Sequence, residues 1–160
     1  MEAKLIALKL LLDSLGVRDQ IDTIDDRKRI QKAVYLGQLA NIDLGYRFGW
    51  YLRGPYSPAL TKDYYSLAAA VESGDQEFKK RRLAPNVKSA LSRIKPLLQV
   101  PNTVTLEQED WLELLASLHF LRTISNYSEQ KASAEIKEKK PHVFNFIKQA
   151  EKELHNAKLL

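Results

Sequence analysis

Apolar positions recur at helical spacing in seven stretches of the chain and alternate in one. Residues 2–15 place Leu5, Leu8 and Leu12 on one face, widened by Ile6 and Leu10. Gly16 suits a helix end, since glycine adopts the left-handed conformation at little cost. A second helix begins after residues 17–24, with Thr23 or Asp25 as its cap and Asp26 favourable near its positive end. Ile30, Ala33, Val34 and Gly37 form its inward stripe, broadened by Tyr35, Leu36 and Leu39. The same periodicity puts Arg27, Lys28, Gln31 and Lys32 on the outside or at the edge. Gly37 costs roughly 1 kcal/mol of helix propensity relative to alanine, which a close helix crossing would explain.

Residues 46–53 alternate and predict a strand, with Phe48, Trp50 and Leu52 on one side and Arg47, Gly49, Tyr51 and Arg53 on the other. Gly54-Pro55 ends it, because proline cannot donate to a ladder. Ser57 is a cap and Pro58 a first helical residue for a helix to about Ser73, with Leu60, Tyr64, Leu67, Ala68 and Val71 inward and Gly74 as the stop. Residues 77–83, EFKKRRL, read as an edge strand pairing with 46–53 or as a basic loop. Pro85 or Asn86 opens a helix carrying Val87, Leu91, Ile94 and Leu98, bent or ended at Pro96.

Thr105 and Gln108 have the spacing of a capping box, heading the most apolar helix, to about Ile124. Leu112, Leu115, Leu118 and Leu121, with Trp111 and Phe120, mark it as central to the core. Ser128 caps a charged helix to about Lys139, and Pro141 starts a last helix with Val143, Phe144, Ile147, Ala150 and Leu154 buried. The expected fold is mainly α: about seven helices with a small two-stranded β element. It forms one domain over residues 1–160, with a winged-helix-like half (1–83) and a helical half (84–160).

The chain has no cysteine, so disulfides, thiolate catalysis and cysteine-ligated metal are excluded. Lys9 interrupts the first apolar run, no small-residue cleavage site follows, and no run reaches the ~20 residues of a membrane span, which points to a cytoplasmic protein without membrane contact. The formal net charge is +5, but residues 79–96 alone hold seven Lys/Arg and no acid. The excess therefore sits in Lys79, Lys80, Arg81, Arg82, Lys88, Arg93 and Lys95. These are the candidate phosphate contacts for a nucleic-acid partner. The alternative is a solvated face. In a winged-helix mode the helix from Ser57 would approach a groove, yet it carries Asp63 and Glu72 and only Lys62 as a cation, which counts against sequence-specific reading of DNA.

The run Lys28-Arg29-Ile30-Gln31-Lys32-Ala33-Val34-Tyr35-Leu36, followed by Phe48 and Gly54-Pro55-Tyr56-Ser57-Pro58-Ala59-Leu60, resembles bacterial YwgA-like proteins and, more loosely, SocA-like (Panacea) antitoxin domains. The resemblance covers roughly residues 1–80, with Arg29 where lysine is usual. It implies a helical, winged-helix-like, non-catalytic domain acting as an antitoxin, adaptor or subunit of a defence or regulatory assembly. Its partner would be another protein, such as a toxin or assembly subunit, with homodimerisation and nucleic acid as further options. Its motif residues make Gln31, Lys32, Tyr35, Arg53, Gly54, Pro55, Tyr56 and Ser57 the interaction candidates.

The Gly54–Ser57 junction has two readings. Its amides, with Arg53 and Lys62, could hold a phosphate or carboxylate; or it is a turn followed by a cap. Of 14 aromatic residues, eight lie between Tyr35 and Tyr65. Alternation assigns Phe48 and Trp50 to the core and leaves Tyr51 and Tyr65 as surface candidates for stacking. Enzymatic signals are weak. His119, His142 and His155 are scattered without metal-ligand spacing, and Glu135-Ile136-Lys137 lacks the acidic strand of a nuclease core. No phosphate-binding glycine motif occurs, so neither catalytic residue, metal nor cofactor is expected.

Overall fold

The computed structural model describes residues 1–160. Its elements are α1 (Ala3–Leu15), α2 (Ile24–Gln38), β1 (Gly49–Tyr51), β2 (Gly54–Tyr56), α3 (Pro58–Glu72), α4 (Pro85–Ile94), α5 (Gln108–His119), α6 (Glu129–Lys139), α7 (Pro141–Phe144) and α8 (Ile147–Asn156). The protein is mainly helical with one two-stranded antiparallel sheet. The seven expected helices are present, the last divided where Phe146 leaves helical backbone at φ −109° and ψ 16°.

α5 is the central post. Every residue from Trp111 to Leu121 is buried. α2, α8 and β2 pack on different sides of it, α2 most extensively. The helix widens at Phe120–Ile124 into a π-type turn, where the Thr123 hydroxyl donates to His119 O at 2.8 Å. Its start differs from expectation. Thr105 forms no capping box; α5 begins at Gln108 without a side-chain cap. Gln108 instead donates to Leu98 O at 3.1 Å, so the side chain expected to close the box ties α5 to the segment after α4.

α2 is capped as the sequence indicates, with Thr23 and Asp26 bonding each other's backbone N–H groups at 3.0 and 3.2 Å. Gly37 faces α1, where an added Cβ would lie 3.3 Å from Leu15 and 3.4 Å from Leu11, so the close crossing is real. Three expectations for α2 fail. Lys28, Gln31 and Lys32 are 7%, 2% and 1% exposed, not on the outer face. The helix is buried on two sides, by α1 along Ile30–Gly37 and by α5 and the hairpin along Lys28–Lys32–Tyr35.

The hairpin also departs from the sequence reading. Trp50 pairs with Pro55 and Tyr51 with Gly54, so Leu52 and Arg53 form the two-residue turn and Gly54 opens the return strand. Gly54, at φ 92°, takes a backbone conformation that other residues reach only with strain. Residues 77–83 are therefore not the partner strand: Glu77–Lys80 form a single 3₁₀ turn, and the sheet has two strands only. Leu52, expected inward, is 87% exposed because it sits at the turn. Phe48 and Trp50 are half-buried against Tyr35 and Phe120, with ring centroids 5.3 and 5.7 Å apart. No helix is long and apolar enough to cross a membrane.

Candidate anion-binding site

The site grows from two carboxylates on α5, Asp110 and Glu113, beside its apolar run. Asp110 and Glu113 are one turn apart on α5, and Glu113, 2% exposed, lies among Trp111, Leu112, Leu114 and Leu115. A charge there must be paired. Lys28 of α2 donates to Asp110 and to Glu113, each at 2.7 Å. Lys140, at the α6–α7 junction, donates to Glu113 at 2.8 Å and to Leu52 O at 2.9 Å, tying the hairpin turn to the core. Burial alone would raise the Glu113 carboxyl, but Lys140 and Lys28 outweigh it and hold it at about 2. Burial likewise opposes charge on Lys28, yet its hydrogen bonds to Asp110 and Glu113 raise its ammonium above the ordinary value. Two lysines and two carboxylates form a locally neutral tetrad. Arg29 extends it, donating to Asp26 at 3.1 Å and Glu109 at 3.0 Å.

Lys32, one turn along α2 from Lys28, is the exception. It is 1% exposed and donates to Pro55 O at 2.6 Å, but no carboxylate lies within ion-pair distance of its nitrogen. Burial pushes the ammonium down to about 7; Glu113 partly counters this, while Lys140, Lys28 and Arg53 add to it. Gln31 reads the backbone of the same junction, donating to Ser57 O and accepting from Ser57 N, both at 2.9 Å. Gly54 approaches α5 so closely that an added Cβ would lie 2.5 Å from Ser117 Oγ.

Above these groups lies a cavity of about 290 Å³ between α2, the hairpin and α3. Four cations line it, Arg27, Lys28, Lys32 and Arg53, and no carboxylate does. Tyr56, Tyr64 and Tyr65 add rings and hydroxyls, Ile24 adds an apolar edge, and Gln31 and Thr61 complete the wall. Tyr56 OH already accepts from Thr61 Oγ1 at 2.6 Å. Among the four cations, Lys28 is neutralised by the tetrad, and Arg27 is held to Ile21 O at 2.8 Å without a carboxylate. The net character is positive and donor-rich.

The motif residues meet here only in part. Gln31, Lys32, Arg53 and Tyr56 line the cavity. Pro55 and Ser57 contribute the backbone that Lys32 and Gln31 grip, and Gly54 lies behind, on α5. Tyr35 is elsewhere, its hydroxyl 2.7 Å from His119 Nδ1, with His119 held down to about 4 by burial. Of the amides suggested for anion binding, Ser57 N is taken by Gln31 and Leu60 N by Ser57 Oγ, so most of the cationic donors at the cavity are side chains. Lys62 is exposed and does not line the cavity.

The seven basic residues of 79–96 are all exposed and belong to a different face. Arg81 and Arg82 border a groove beside Met1 and Ala3, and Lys95 lies over Gly16. Only Lys80 meets a carboxylate, Glu77 at 3.8 Å. Periodicity missed Lys28, Asp110, Glu113 and Lys140. The available signal was Glu113 itself, since a carboxylate amid the most apolar helix demands a buried cation.

His142, scattered in sequence, is brought to Glu113 at 3.3 Å, and with Asp110 the three could face one metal ion. A cation there would have to displace Lys28 and sit beside Lys140, both already on Glu113. The donor set is that of an ion-pair network, not a metal centre. A wider groove of about 480 Å³ lies near Tyr35, Tyr46, Phe48 and Phe120, apolar for the most part. No protein-family model, curated protein or solved structure matches this chain.

Proposed function

We propose that the chain is a non-catalytic protein-interaction module, of the antitoxin, adaptor or assembly-subunit kind, that docks its partner through the face where the hairpin, α2 and α3 meet. One observation carries this reading. Of the six large hydrophobic residues left exposed, four gather around the cationic cavity: Ile24 and Tyr65 line it, while Tyr51 and Leu52 belong to the hairpin that bears Arg53. Tyr51 also packs edge-on against Tyr56, at 5.1 Å between ring centres. Tyrosine and arginine around a pocket are residue types enriched in binding hot spots. The resemblance to YwgA-like and SocA-like domains supports it, because four of the interaction candidates, Gln31, Lys32, Arg53 and Tyr56, line this cavity. The buried carboxylates are consumed by ion pairs, which supports a binding role over general acid–base work.

The test is co-purification from the source cells with wild-type protein and with Leu52→Asp and Tyr51→Ala variants. A partner retained by wild type and lost by both variants is the expected result. A partner retained by both, or lost only when Lys79, Lys80, Arg81 and Arg82 are neutralised, overturns the assignment of this face.

A second reading rests on the seven exposed cations of 79–96, of which only Lys80 is near a carboxylate. As a nucleic-acid-binding surface it should give an affinity that falls steeply between about 50 and 200 mM salt, as phosphate contacts release counterions.

A further inference from the structure

We propose that the cavity between α2, the hairpin and α3 binds a small phosphate monoester carrying a flat organic group, of nucleoside-monophosphate type. This goes beyond the protein-docking reading: the ligand enters the cavity, whereas the partner is placed on its rim. Charge makes the first argument. Lys28 is cancelled within its tetrad, so Lys32, Arg27 and Arg53 stand against no carboxylate in the lining. A dianion balances such a set better than a single carboxylate, and arginine forks match phosphoryl oxygens.

Burial makes the second. Lys32 is a 1% exposed side chain with one hydrogen bond, to Pro55 O, which leaves ammonium donors unused. A buried cation without a counter-ion is costly, and an arriving anion removes that cost. The depressed Lys32 ammonium agrees with a missing counter-charge. Size makes the third. About 290 Å³ is far more than one phosphate needs, and the rest of the wall includes Tyr65, which is exposed, and Tyr56, which is half-buried, as rings on which a base can stack.

The experiment is isothermal titration of the full chain with adenosine monophosphate, inorganic phosphate, adenosine and acetate. The expected order is adenosine monophosphate, then phosphate, with adenosine and acetate far weaker. Lys32→Met and Arg53→Ala should each weaken binding about tenfold or more, as loss of a charge-assisted contact does. Lys32→Met removes an unpaired buried charge and should melt no lower than wild type, so its loss of binding cannot be ascribed to unfolding. Neutralising Lys79, Lys80, Arg81 and Arg82 should leave the titration unchanged. Absence of saturable binding, equal binding of acetate, or a loss confined to the neutralised 79–82 variant overturns the proposal. Leu52→Asp should keep nucleotide binding while losing the protein partner, so the two proposals fail separately.

Discussion

The chain holds two concentrations of positive charge, and they are built in opposite ways. Residues 79–96 carry seven cations, four of them consecutive, all exposed and with no acid in the stretch. The group formed by Arg27, Lys28, Lys32, Arg53 and Lys140 is scattered over more than a hundred residues, and its densest part, Arg27–Lys32, follows directly on Asp25 and Asp26. Yet the scattered group is the one organised in space. Its lysines are buried, and their nitrogens are fixed at 2.6–2.9 Å from carboxylates and carbonyls. Net charge finds solvated density; it misses a site whose charges are balanced by neighbours.

The largest way to break this contrast is at Glu113. Glu113→Ala leaves Lys140 with no carboxylate and Lys28 with Asp110 alone, and loss of one partner of a buried pair typically costs about 3–5 kcal/mol. Urea denaturation should show that loss. A change under about 1 kcal/mol would place the tetrad among solvent-screened surface pairs instead.

Lys32→Met should act in the other direction. Replacing the buried ammonium with an apolar chain of similar volume removes a charge without a counter-ion, which should outweigh the lost hydrogen bond to Pro55 O and stabilise by about 1 kcal/mol. The gain depends on pH. The Lys32 ammonium is lowered from 10.5 to about 7 in the folded state, so the unfolded chain holds the extra proton between those values. Wild-type stability from this group is therefore lowest below pH 7 and recovers as pH rises towards 10. Denaturation at pH 6 and pH 9 should show the advantage of Lys32→Met shrinking at the higher pH; a constant advantage would mean that the lysine does not titrate in this range.

These residues also mark where the sequence was legible. Helix positions followed apolar periodicity, and Thr23, Ser57, Ser128, Gly16 and Gly74 act at the ends they were expected to mark. The inward stripe of α2 was legible, but its second buried side was not, because periodicity treats lysine as outward. The long stem of Lys28 or Lys32 lies along apolar surface while its nitrogen reaches a partner 23 or more residues away, a fact no local window contains. The hairpin was half legible: alternation found β1, but Gly54-Pro55-Tyr56 was taken as a stop. Proline sits in β2 opposite Trp50, in a two-stranded ribbon whose outer edges need no donor from it.

Gly54→Ala tests that junction. The added Cβ meets Ser117 Oγ at 2.5 Å, on backbone at φ 92°, and together these should cost about 2–3 kcal/mol. Adding Ser117→Ala removes Oγ and leaves a Cβ at 3.8 Å, so it should recover the steric part and leave the backbone part, measured as a partial return of the melting temperature. Full recovery would show that the left-handed conformation carries no cost here.

The smallest effect on folding belongs to the exposed run. Lys79, Lys80, Arg81 and Arg82 neutralised to glutamine should change stability by no more than ~0.5 kcal/mol, since only Lys80 has even a long ion pair to lose. The same variant is the most informative for nucleic acid. Fluorescence anisotropy with mixed-sequence duplex and single strands at about 50 and 200 mM salt separates the outcomes. Binding by wild type with a steep salt slope, lost in the variant, would make the exposed run a second functional surface beside the cavity. Absence of binding at the lower salt would leave those cations as a solvated face and would count in favour of the docking reading proposed for the hairpin–α2–α3 face.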